Sequence, residues 1–187
     1  MQDLKLFMMM LGCRPAGRNT EQHDMFFGIA PTIKDLVPDI KAFWPEAKDK
    51  IHIDAWREVT QVDGYQIRVL PREAAVADES ADKLFFLNLG GYKAGEFDEF
   101  HYKTLVVAPD NGAAIKQAKQ SAFYKHTGFK GATSHIDDKF GVDVDELYQV
   151  KDILADDIKQ KYSIQVTARE SSTPDELHLG YFILGKL

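Results

Sequence analysis

Histidines and carboxylates recur in this chain at a spacing of two. Glu21-x-His23 and Glu99-x-His101 form one pair of motifs, and His52-x-Asp54 and His135-x-Asp137 form another. On a strand, residues two apart project from one face. Each motif would then present an imidazole beside a carboxylate. If the strands carrying the two motifs lie together, two imidazoles and two carboxylates converge. That set suits zinc or another divalent ion, and equally an acid–base pair for hydrolysis or group transfer. No sharp metal signature supports the first option, since neither HExxH nor CxxC occurs. A histidine held by a carboxylate also commonly closes a polar gap in a core. The residues therefore commit to no cofactor, with a divalent metal such as zinc as the alternative.

Two lesser candidates lie close by. Arg14 and Arg18 flank the loop LGCRPAG and could hold an anion. The loop lacks the Lys-Ser/Thr of a phosphate-binding P-loop, so a nucleotide site is not expected there. A tight turn with solvated charges is the plainer reading. Cys13, the single cysteine, follows Gly12. It would need a base and exposure to act as a nucleophile, and a small buried thiol is the commoner case.

The elements that must position these residues are written twice. Lys5 to Pro31 match Lys83 to Pro109 at an offset of 78, with 11 of 27 pairs identical; chance would supply about one or two. His52-Ile53-Asp54 then answers His135-Ile136-Asp137, and YQIRVLPRE (Tyr65 to Glu73) answers YSIQVTARE (Tyr162 to Glu170). Within each copy, an apolar run stopped by Gly12 or Gly90 reads as a strand. A second strand carries Glu-x-His at its outer end and closes on Ala-Pro. A helix follows, capped at Thr32 or at Asp110 or Asn111. Pro38 falls inside the first helix, which is then kinked or split. His-Ile-Asp and the Tyr-x-Ile-x-Val run supply two more strands, joined in copy one through the hairpin signal Asp63-Gly64.

The expected fold class is α+β: tandem strand-strand-helix-strand-strand repeats, a mainly antiparallel sheet with helices on one face, and a pseudo-two-fold arrangement. Residues 1–73 form the first repeat and 74–82 a linker. Residues 83–187 form the second repeat, with a helical insertion at about 142–160, where Leu147, Val150 or Lys151, Leu154 and Ile158 share one helical face. The tail 177–187 reads as an extra strand that adds to an edge of its own sheet or of a partner's.

Composition narrows the rest. A net charge of -6 and a pI near 5.5 argue against nucleic acid. One cysteine fits a reducing compartment. The apolar run Leu6 to Leu11 is too short to span a bilayer and is repeated in mid-chain. These features predict a cytoplasmic protein with no membrane contact and leave a homo-dimer through sheet edges open.

The segments LNLGGYKAGEFDEFHYKTLVVAP and LGCRPAGRNTEQHDMFFGIAP, followed by His-Ile-Asp, resemble a bacterial domain family of unknown function. Its members carry one or two copies of the domain. The resemblance covers nearly the whole chain apart from the linker and the tail, and it implies no activity and no assigned residues. Two functional readings stand. One is a binding or interaction module with a groove between the repeats. The other is a small metal-dependent or acid–base hydrolase or transferase using the Glu-x-His and His-x-Asp residues. Whether the protein is an enzyme is left open.

Overall fold

The computed structural model describes residues 3–74, 82–92, 95–127, 143–169 and 173–187. It is a mixed α+β fold whose strands pair antiparallel, and it divides into two compact units. One joins residues 1–77 to 154–187, and the other holds 78–153. Among the described residues no helix is long and apolar enough to cross a membrane.

In the first unit, β1 (Lys5–Cys13) hairpins to β2 (Gln22–Ala30). The chain then makes a short 3-10 turn, Ile33–Leu36, and the helix α1 (Val37–Phe43). Thr32 donates from both its N–H (3.1 Å) and its hydroxyl (2.7 Å) to the Asp35 carboxylate at the start of this stretch. Pro38 lies in the first turn of α1, where its missing N–H costs nothing, so the helical stretch is split ahead of it. β3 (His52–Glu58) returns to pair with β1 on the side away from β2. β4 (Gln61–Val62) and β5 (Tyr65–Pro71) then form the expected hairpin. Asp63 and Gly64 both have positive φ, 52° and 81°, as a two-residue turn of this hand requires.

Alternation along β1 divides two environments. Phe7, Met9, Leu11 and Cys13 face the core with Phe26, Leu36, Ile40 and Ile53. The opposite face carries Leu6, Met8, Met10 and Gly12. Leu6 sits in an apolar end, opposite Ile29, and Gly12 in a polar one, opposite His23.

The second unit begins with β6 (Lys83–Tyr92), β7 (Glu99–Ala108) and α2 (Asn111–Thr127). Asp110 caps α2, accepting a hydrogen bond from Ala113 N–H at 2.9 Å. Ala114 and Ala118 seat the helix on Phe85, Leu87, Leu89 and Val106. The next described element corrects the sequence reading. In place of a helical insertion over 142–160 stand a strand, β8 (Asp143–Gln149), a 3-10 turn and the short helix α3 (Asp156–Lys161). β8 pairs with β6, giving the order β7-β6-β8.

The positions read as one helical face belong to different elements: Leu147 to β8, Val150 and Lys151 to the 3-10 turn and Ile158 to α3, with Leu154 between the last two. A bulge in β8 between the partners of Asn88 and Leu89 inserts Asp145. The extra residue puts Val144 and Leu147 on the same side, and both pack on the core. β3 has the same bulge, at Asp54, between the partners of Met10 and Leu11.

β9 (Tyr162–Ala168) joins β5 rather than the sheet of the second unit, in the order β4-β5-β9. The pairing is reciprocal: Ile67 faces Val166 while Val69 faces Ile164. β10 (His178–Ile183) then takes the outer edge of β3, completing the order β10-β3-β1-β2. The tail is thus an edge strand of the first unit's sheet, and 154–187 group with 1–77 rather than with 83–153. Two contacts fasten it. The Asp175 carboxylate accepts from Thr60 N–H (3.0 Å), the Thr60 hydroxyl (2.5 Å) and Gln61 N–H (3.3 Å). Just beyond β10, Leu184 is buried in the first unit's core. Leu184→Ala is expected to lower stability by about 2–4 kcal/mol in urea unfolding. A loss below about 1 kcal/mol would mean that the tail is only laid against the sheet.

Candidate functional site

Four of the residues singled out in the sequence meet at the polar end of the first sheet. Gly12 of β1 pairs with His23 of β2 on one side and with His52 of β3 on the other. Directly paired residues share a face, so both imidazoles stand over Gly12. The Asp54 bulge turns an extra carboxylate toward that face, and Glu21 enters from the residue before β2. Gly12 is the floor of the site. A Cβ built there would collide with Asp54 Oδ2 and His52 Nε2, so only glycine leaves room for the cluster.

The polar contacts all run through the ring nitrogens. His52 Nε2 lies 3.1 Å from Glu21 Oε1 and 3.2 Å from Asp54 Oδ1. His23 Nε2 lies 3.2 Å from Asp54 Oδ2 and 3.8 Å from Glu21 Oε2. His52 is 3% exposed, whereas the side chains of His23 and Glu21 are 41% and 44% exposed. The other ring nitrogen of His52, Nδ1, sits 3.3 Å from the Lys50 carbonyl. If Nδ1 carries the proton and donates to that carbonyl, Nε2 is left with a lone pair flanked by two carboxylate oxygens.

Hydrogen bonding does not account for that approach. His52 Nε2 and Asp54 Oδ2 are both buried without a hydrogen-bond partner. The oxygens near Nε2 are close in distance but poorly aligned with the ring N–H direction. Buried polar atoms are almost always satisfied, so the arrangement calls for a positive body among them. Ligands 2.0–2.2 Å from a tetrahedral zinc stand about 3.3 Å apart, close to the shorter separations here.

The strand β10 covers one flank. Tyr181 stacks on the His52 ring with centroids 4.0 Å apart, and His178 stacks on Trp56 at 3.8 Å. Neither contact was foreseen, because β10 reaches β3 only through the tertiary fold.

The second unit carries a reduced version. His101 Nε2 lies 3.4 Å from Asp145 Oδ2 and 3.9 Å from Glu99 Oε2. The donor atoms of Glu99, His101 and Asp145 fall within 4.8 Å of one another, the one such group among the described residues, and all three are exposed; the four residues of the first unit are linked pair by pair at 3.1–3.8 Å instead. Gly90 is the floor, with Asp145 over it. In the ladder, Asp143 takes the place that His52 holds in the first unit, opposite Gly90. Glu99 is also engaged by the Tyr92 hydroxyl, and that hydrogen bond is the main reason the Tyr92 phenol is pushed up.

The sequence reading had matched His52 and Asp54 to His135 and Asp137. Those two lie outside the described residues, and the strand beside β6 supplies Asp143 and Asp145 instead. Asp145 was therefore missed. Its signal was present: DVDELYQ keeps the apolar residue and the aspartate of HIDAWRE in step. Arg14 and Arg18 are exposed on the β1–β2 loop, outside the four-residue contact set.

Cys13 points away from this face into the core, its Sγ 3.7 Å from the Ala47 carbonyl. Burial is the first reason its thiol is pushed up; Glu21 adds to this and Lys50 opposes it. A protonated, buried thiol is a poor nucleophile. Cys13 is expected to resist iodoacetamide in the folded chain and to react once urea unfolds it, as mass spectrometry would record. Rapid native labelling would contradict its placement.

Comparison with known proteins is consistent with this picture and adds no activity. A family model described as Domain of Unknown Function (DUF1543) matches residues 18–69. That stretch holds Glu21, His23, His52 and Asp54. Among solved structures, the crystal structure of a protein Il1583 from Idiomarina loihiensis is similar, with a TM-score of 0.63 over 97% of this chain and 98% of that one, at 23% identity. At this identity the likeness speaks for the fold alone. No curated protein matches the chain.

Proposed function

We propose that the first unit is a divalent-metal-binding module with Glu21, His23, His52 and Asp54 as its ligands. One observation carries the reading: His52 Nε2 is buried, has no hydrogen-bond partner and is faced by two carboxylate oxygens at 3.1 and 3.2 Å. The Lys50 carbonyl at Nδ1 is the outer partner that metal-bound histidines ordinarily have. Two imidazoles and two carboxylates suit zinc, with manganese, iron, cobalt or nickel as competitors for the same donors. Bound metal would neutralise the two carboxylates and satisfy both orphaned atoms.

The two ladders share their pairing, their bulge and their glycine floor, which supports descent from one duplicated unit. On that reading the second unit has kept Glu99, His101 and an aspartate while its fourth position has become Asp143. It would then bind metal more weakly, with three exposed donors.

The test uses the full chain prepared without a His tag. After incubation with zinc and gel filtration, about one equivalent should remain bound by elemental analysis. His101→Ala should keep that equivalent. Protein that retains no zinc, and none of the competing ions, would overturn the proposal.

A further inference from the structure

We propose that this metal centre takes an oxyanion of the phosphoryl class on its open side, with Arg14 and Arg18 as the charge partners; the inference rests on the metal reading above. The four ligands are unequally covered. His52 is sealed beneath Tyr181, whereas Glu21 and His23 are each about four-tenths exposed. The most exposed of the four, Glu21 and His23, belong to the β1–β2 end, which leaves that side open to an incoming ligand.

That end is where the loop 14–21 stands. Cys13 and Gln22 form the last rung of the hairpin. Arg14 and Glu21 flank it, directly across from one another. β1 ends at Cys13; carried one residue further, its alternation would return position 14 to the face of Gly12, which is the metal face. The second unit shows what this position can reach: Tyr92 occupies it opposite Glu99, and its hydroxyl bonds that carboxylate. Arg18 closes a tight turn four residues on, its N–H 3.3 Å from the Pro15 carbonyl, with Gly17 at φ 80°. This turn keeps the loop short over the same end of the sheet.

Charge decides what would bind. A dication with two carboxylates and two neutral imidazoles sums to zero. The flanking cations then set the sign at the open side. Arg14 and Arg18 are exposed and neither is ion-paired among the described residues. In a chain of net charge -6, a positive rim at one metal centre selects for anions. Two guanidinium groups favour an oxyanion with several acceptor oxygens over a lone carboxylate. The second unit is the internal contrast: Tyr92 replaces Arg14, and Glu96, Phe97 and Asp98 follow in its loop.

The test loads the full-length untagged chain with cobalt(II), whose visible absorption reports its coordination. Inorganic phosphate is titrated in one arm and acetate in another. Phosphate should change the cobalt spectrum saturably, at concentrations at least about tenfold below acetate. The double variant Arg14→Gln, Arg18→Gln should bind cobalt within about twofold of the parent and phosphate at least about tenfold more weakly. A cobalt-loaded protein whose spectrum ignores phosphate would overturn the proposal and leave the metal reading intact. So would equal phosphate affinity in the double variant, or acetate binding as tightly as phosphate. Failure to bind cobalt, zinc or any of the competing ions would defeat both readings together.

Discussion

His52→Ala is expected to remove tight metal binding, lowering zinc affinity by at least about 100-fold in competition with a chromophoric chelator. Disturbing an outer partner of a metal ligand already costs about 10–100-fold, and His52 is proposed as a ligand itself. It is also the one member of the set that is fully enclosed, so no water-exposed neighbour can swing in to replace it. The loss should appear a second way. Zinc at about 100 times its dissociation constant stabilises a folded protein by about 2.7 kcal/mol. The parent chain should therefore melt higher with zinc, and the variant should not respond. His101→Ala should leave both readouts close to the parent, because its three-residue set is exposed. If His52→Ala binds zinc like the parent, the buried imidazole belongs to an ion-pair network and the metal assignment fails.

The second large effect is expected at Gly12. In Gly12→Ala the new methyl group would overlap Asp54 Oδ2 and His52 Nε2. Asp54 is partly exposed and can turn aside, but the His52 ring is enclosed under Tyr181 and tied to the Lys50 carbonyl. Overpacking of this kind costs about 1–3 kcal/mol. Metal affinity should fall more than tenfold as well, because the methyl group sits where the donors meet. Gly90→Ala is the matched control. There the three atoms nearest the methyl group all belong to the Asp145 carboxylate, the exposed end of a movable side chain, and the cost should stay below about 0.5 kcal/mol. Chemical unfolding of both variants, with and without zinc, checks the contrast. Equal effects at the two glycines would show that the floor of the first site is not special.

Much of this arrangement was legible before any coordinates. The strand spans around Gly12 and Gly90, the cap at Asp110, the split at Pro38 and the Asp63-Gly64 turn are local events, set by residues close in sequence. The Glu-x-His spacing was legible for the same reason, since side-chain direction alternates along any strand. Reading 142–160 as one helix failed because its apolar positions are divided among β8, a 3-10 turn and α3, and pairing with β6 makes a strand of the first part. His135 and Asp137, matched in the sequence to His52 and Asp54, lie outside the described residues; that β8 pairs with β6 and brings Asp143 and Asp145 is not revealed by local likeness.

By itself the chain therefore determined which residues could meet: paired imidazoles and carboxylates on strand ends, with a glycine beside them. Only the tertiary structure decided that Glu21, His23, His52 and Asp54 meet over Gly12, and that β10 crosses to β3 and buries one imidazole beneath Tyr181. Alternation and turn chemistry act over a few residues, whereas register, bulge placement and burial are properties of strands brought together from distant parts of the chain.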